Sequence, residues 1–135
     1  MIHAAAQGEP YACFVREDTR IPFMAMPDAV SALLALQEAP AESLTSTVYN
    51  ASGFCASAGE LAALTRRAFA GSPITFVPDR RRQTIVDSWP EDVDDSRARR
   101  DWGFRAVYDL DRTFNVYLVP NVTRRYARGE SWRKP

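Results

Sequence analysis

The chain has 135 residues, room for one domain, and its 46% apolar and 25% charged residues are ordinary globular proportions. Its 17 basic residues balance 17 acidic ones, so no net field steers it toward nucleic acid or an anionic membrane. No apolar run approaches the roughly 20 residues of a membrane helix, and a lone histidine, His3, leaves almost no room for a His-based metal site or catalytic triad.

Cys13 and Cys55 stand far apart without CxxC spacing. Buried free thiols in a reducing cytoplasm are the expectation. The first residues lack the basic-then-apolar pattern of a signal peptide. They read instead like the middle of a helix cut at an internal methionine, stopped near Gly8 and Pro10.

Residues 11–15 form an aromatic and β-branched run that predicts a strand. The charged residues 16–20 read as a turn, and residues 21–26 as a second strand. Pro27 suits the first turn of a helix, where its missing N–H is harmless. Asp28 favours the positive helix end, a contribution of about 0.3–1 kcal/mol. Val30, Leu33 and Leu34 recur at helical spacing and predict the buried face of a helix ending before Pro40. Residues 47–49 read as a strand leading to Asn50.

Ser57-Ala58-Gly59-Glu60 is a capping box. It predicts a helix to about Phe69 with Leu61, Leu64 and Ala68 buried and Gly71 as its stop. Residues 74–77 read as a strand, 79–82 as a loop and 84–86 as another short strand. Asp94 or Asp95 can cap a short helix through Trp102, closed by Gly103. Asp109 can cap a last helix carrying Leu110, Phe114, Tyr117 and Leu118, which Pro120 should break or kink. A polar, frayed tail follows Tyr126. Short strands alternating with helices make the chain α/β.

Four segments carry a more specific signal. They are Met26-Pro27-Asp28-Ala29, then the run from Arg82 through Gln83 to Asp87-Ser88-Trp89-Pro90, then Asp94-Asp95-Ser96 and Asp101-Trp102-Gly103. Together they resemble the C-terminal part of the short-chain-dehydrogenase type of L-threonine 3-dehydrogenase, within the NAD-dependent epimerase/dehydratase superfamily. The resemblance covers about residues 1–118. It implies an incomplete fragment of an extended short-chain dehydrogenase: the C-terminal substrate-binding lobe plus the last elements of the Rossmann half. Residues 119–135 then form a polar, Arg-rich tail.

In that family the N-terminal part holds NAD and the catalytic tyrosine. Here the six glycines spell no GxGxxG, and no tyrosine is followed four positions later by lysine. The resemblance thus implies no cofactor for the isolated chain and NAD in the intact enzyme. It implies an inactive piece of an oxidoreductase that converts L-threonine and NAD to 2-amino-3-oxobutanoate and NADH. The partner is an NAD-binding half, or a second copy joined through an exposed sheet edge, and the substrate a small amino acid.

The candidate substrate-binding residues are Trp89, Ser88, Asp87, Arg82 and Thr19. In the resembled family the Asp87-Ser88-Trp89-Pro90 segment approaches the substrate pocket, where a tryptophan can exclude water. Trp89 as an aromatic core anchor is the other reading. Arg82 offers a planar fork for a carboxylate or phosphate, but pairing with Asp87 or Asp94 is the expectation. Asp18 and Thr19 sit on the loop that admits substrate. Asn50 marks a strand end or a turn. Cys55 near a helix start invites a lowered pKa, though its apolar neighbours point to burial.

Two other readings stay open. One is a lobe of a nucleotide-sugar epimerase or dehydratase. The other is a non-enzymatic interaction module with an exposed apolar face.

Overall fold

The computed structural model describes residues 1–127. Four short strands form two separate two-stranded sheets. Strand β1 (Tyr11–Cys13) runs parallel to β4 (Ile74–Phe76), with Tyr11 opposite Ile74 and Cys13 opposite Phe76. Strand β2 (Arg20–Phe23) runs antiparallel to β3 (Phe54–Ser57), with Arg20 opposite Ser57. Pro22 sits inside β2, which a strand with a free edge tolerates because proline has no N–H to donate. At the far end of this pair the rings of Phe23 and Phe54 stack at 5.9 Å.

Helix α1 (Ile2–Ala6) is followed by Gly8 at φ +71°. Helix α2 (Met26–Glu38) carries Pro27 in its first turn and ends before Pro40, as its spacing predicts. Its predicted face is not buried. Val30, Leu33 and Leu34 are 49%, 71% and 54% exposed. Helical spacing reports that one face is apolar, but only a neighbouring element buries it, and no described element lies over this one. The buried residue of α2 is Asp28, whose carboxylate does more than stabilise a helix end. It accepts the backbone N–H of Val107 at 3.1 Å and of Tyr108 at 2.9 Å, tying down the chain before the last helix.

Residues 47–49 form no strand. Ser46 makes a local turn, its hydroxyl donating to the Val48 carbonyl at 2.9 Å, while Tyr49 reaches away to Asp101. Side-chain bonds there satisfy groups that a strand would have paired.

Helix α3 (Ala58–Ala68) carries the full capping box: Ser57 Oγ accepts from Glu60 N at 3.1 Å and Glu60 Oε2 from Ser57 N at 2.7 Å. Its buried residues are Ala58, Ala62 and Thr65. Leu61 and Leu64 are half-buried and Ala68 is exposed, so the buried stripe lies one position round from the predicted one. Gly71 at φ +80° turns the chain toward β4.

Asp79 does not sit in a loop. Its side chain accepts from Arg82 N at 2.9 Å and caps helix α4 (Arg80–Val86), which replaces the strand expected at 84–86. That cap sits three residues before its donor, the spacing a helix start requires. Thr84 then back-bonds to the Arg80 carbonyl at 2.9 Å.

Helix α5 (Ser96–Trp102) closes at Gly103, φ +73°, as expected, and Asp94 accepts from Ser96 N at 2.9 Å. Asp109 caps α6 (Leu110–Arg112). A π-helical stretch, Thr113–Leu118, leads into α7 (Val119–Ala127). Pro120 therefore does not end the helix. The widened turn just before it accommodates a residue with no N–H. Residues 119–127, expected in the tail, form α7 with Val122 buried and Tyr126 bonded to His3 of α1 at 3.1 Å. The remaining tail, including the rest of the Arg-rich run, lies outside the described residues.

The buried set is made mostly of small side chains: Ala5, Ala25, Ala56, Ala58, Ala62 and Ala98, with Ile74, Phe104, Phe114 and Val122. Alanines bury little apolar area each, so the described core contributes modestly.

Candidate functional site

Between β1, β2, β3, α3 and the π-helical turn lies an open concavity of about 560 Å³. Its wall includes Cys13, Ile21, Phe23, Phe54, Leu61, Phe114 and Leu118, and no charged side chain contributes to it. Two predicted site residues stand on it, Thr19 from the turn before β2 and Trp89 just after α4. Trp89 is 51% exposed, so it is no core anchor.

The other three predicted residues lie beside the concavity. Asp87 takes both guanidinium nitrogens of Arg16, at 2.9 and 3.1 Å. Its carboxyl is held below the usual range, first by Arg16 and then by the Gln83 amide. Ser88 donates to the Ile85 carbonyl at 2.7 Å, a helix-end contact. Arg82 pairs with neither Asp87 nor Asp94. Arg16 already holds Asp87 and Asp94 accepts from Ser96 N, while the Arg82 guanidinium lies over the Phe14 ring at 4.9 Å.

Gln83 links the two sides. Its Nε2 donates to Thr19 Oγ1 at 3.0 Å and to Asp87 Oδ1 at 2.6 Å, and its Oε1 accepts from Arg16 N at 2.7 Å. Arg16 read as a charged turn residue, and nothing in its local pattern points to a partner seventy residues on. Gln83 is legible only once α4 is known to be a helix, because positions 83 and 87 then share a face.

Cys55 has no lowered pKa. Burial, and then the Sγ–H donated to Asp92 Oδ1 at 3.0 Å, push its thiol up to about 11. Cys13 is buried and both thiols are free. Asn50 donates to the Asp94 carbonyl at 3.5 Å, a loop contact away from the concavity. Among the described residues, no acidic, His and Cys side chains cluster to hold a metal, and no helix is long and apolar enough to cross a membrane.

No family model matches the sequence. The mitochondrial L-threonine 3-dehydrogenase of Bos taurus is 39% identical over 118 residues, 87% of this chain and 32% of that protein. An epimerase/dehydratase of Staphylococcus haemolyticus is 35% identical over 101 residues. The holo structure of the GalE-like L-threonine dehydrogenase from Cupriavidus necator superposes with a TM-score of 0.82 at 40% identity, covering 93% of this chain and 39% of that one. Over most of its length the chain is thus similar to L-threonine 3-dehydrogenases and epimerase/dehydratases.

The Trypanosoma brucei L-threonine 3-dehydrogenase superposes equally well, with a TM-score of 0.81 at 36% identity. The chain spans about a third of the length of the curated threonine dehydrogenases it matches. Its α/β fold, with two small sheets, matches about 40% of those larger threonine dehydrogenase structures.

Proposed function

We propose that this chain supplies the substrate side of an NAD-dependent oxidation of L-threonine, with the cofactor and the proton-transferring pair coming from a complementary NAD-binding portion. What carries the reading is the concavity with Thr19 and Trp89 at its edge, backed by the network of Arg16, Gln83 and Asp87. Trp89 would fold over the small amino acid and keep water out. Thr19 would offer its hydroxyl, and Asp87, Ser88 and Arg82 would shape the polar rim. Cys13 and Cys55 as free thiols suit work in a reducing cytoplasm.

The residues present do not fit NAD itself. A pyrophosphate needs a glycine-rich turn at a helix N-terminus or converging cations. The concavity has no charged lining side chain, and no GxGxxG occurs in the sequence. The cofactor therefore belongs to the complementary portion.

A chimera tests this reading. Residues 1–127 replace the matching part of the Cupriavidus necator enzyme, and NADH formation from L-threonine is followed. Turnover is the expected result. A folded chimera that ignores L-threonine would refute the reading. In an active chimera, Trp89→Ala should cut turnover while moving the melting temperature little, because the ring is half-exposed.

A further inference from the structure

Gln83 is 6% exposed, while Arg82 and Thr84 on either side of it face solvent. An exposed two-turn helix has buried a neutral amide, and three of the four contacts that amide makes reach across to the turn before β2, while the fourth, to Asp87, stays at the end of α4. Besides the Arg16 N–H, its Oε1 lies 3.4 Å from the Thr19 hydroxyl, while its Nε2 bonds Thr19 and Asp87. Asp87 is in turn forked to Arg16. Helix α4 is anchored at its start by Asp79 N donating to the Phe14 carbonyl at 2.8 Å. Its other end is held to the turn before β2 through Gln83 and Asp87. Trp89 follows that second end directly, its N–H bonded to the Val86 carbonyl at 3.0 Å.

We propose that Gln83 is a positioning residue that sets the gap between Thr19 and Trp89 across the mouth of the concavity, an inference that rests on reading this as the substrate side of a threonine dehydrogenase. The amide is the group the place requires. A carboxamide donates on one side and accepts on the other. The Arg16 N–H needs an acceptor and the Asp87 carboxylate needs a donor, so no purely accepting or purely donating side chain serves both. Without the amide, α4 keeps its first anchor and swings at its second, carrying Trp89 with it.

Gln83→Glu isolates this function. A carboxylate of the same shape still accepts from Arg16 N and Thr19, but turns a lone pair toward Asp87. The double variant Gln83→Glu/Asp87→Asn restores the bond with donor and acceptor exchanged, at unchanged net charge.

The 135-residue chain is labelled with 5-fluorotryptophan, and the Trp89 resonance is assigned from Trp89→Phe. Gln83→Glu should shift and broaden the Trp89 signal, leave that of Trp102 in place, and be reversed in the double variant. In the chimera the same substitution should lower kcat/KM for L-threonine on the order of 10–100-fold, mostly in kcat, as displacement of a positioned group does. If Gln83→Glu fails to fold, Gln83→Met removes the amide without burying a charge and is read by the same resonance. An unmoved Trp89 signal in the variant overturns the inference, as does unchanged kcat and KM in an active chimera. An inactive parent chimera refutes the functional reading instead. The resonance then decides by itself whether Gln83 holds Trp89.

Discussion

Asp101 shows how much one buried acid can organise. Its side chain is 2% exposed, and it accepts from the Thr45 hydroxyl at 2.5 Å, the Thr45 N–H at 3.1 Å and the Tyr49 hydroxyl at 2.8 Å. Arg100 donates to its other oxygen at 2.9 Å. The Thr45 hydroxyl first, then Tyr49, the Thr45 N–H and Arg100, hold its pKa down to about 2 from 3.8. A carboxylate whose folded pKa is depressed stabilises the fold above its unfolded value. That contribution is lost as pH falls through the folded one. Thermal melting followed downward in pH from 3.8 toward about 2 should show the loss, and Asp101→Asn should flatten that acid limb. An identical acid slope in the variant would show that other carboxylates carry it. Sequence marks Asp101 only as part of Asp101-Trp102-Gly103. Its partners Thr45 and Tyr49 lie some fifty positions earlier, Tyr49 at the end of a run that reads as a strand. Asp28 is similar: its place at a helix start is legible, its hold on Val107 and Tyr108 is not.

At the scale of elements, local signals read well. The Ser57–Glu60 box, the helix start at Asp95 and the stops at Gly71 and Gly103 all depend on a few neighbouring residues, and each forms where the spacing puts it. Segment 79–86 misleads because Thr84, Ile85 and Val86 have strand-like side chains. The Asp79 cap and the buried Gln83 outweigh them. The faces of helices are less legible than their ends, since burial is decided by partners distant in sequence. Ser57→Ala should lower the stability of the chain by about 1 kcal/mol in denaturant unfolding, the usual worth of an N-cap. Ser57→Asp should recover most of it. A loss no larger than that of a surface substitution would mean that Glu60, also paired with Arg20 at 2.8 Å, holds the helix start alone.

For the molecule as a whole, the apolar surface is badly shared between inside and outside. Alanines fill the interior while Leu33, Val48, Val77, Ile85 and Val116 lie more than half exposed. An exposed apolar face of this kind ordinarily marks an interface. The purified chain should therefore sediment as an associating species, and Leu33→Lys with Leu34→Lys should return it toward a monomer without loss of helix. A monomer before substitution would count against that face as a docking surface. Calorimetric titration with NAD should give no heat of binding, and micromolar affinity would reveal a cofactor site that the concavity does not provide.

The strand registers have a consequence for how the chain acquires its shape. Tyr11 pairs with Ile74, and Arg20 with Ser57. No strand pairs with its successor through a tight turn, so neither sheet can start as a hairpin. The capped helix α3 can form early, on a submicrosecond scale. Each sheet must wait for a long loop to close, and such non-local topologies fold slowly. While they wait, both strands of each pair and the apolar face of α2 are open to any neighbour. In a cell, the yield of folded chain should then depend on how soon a complementary surface arrives.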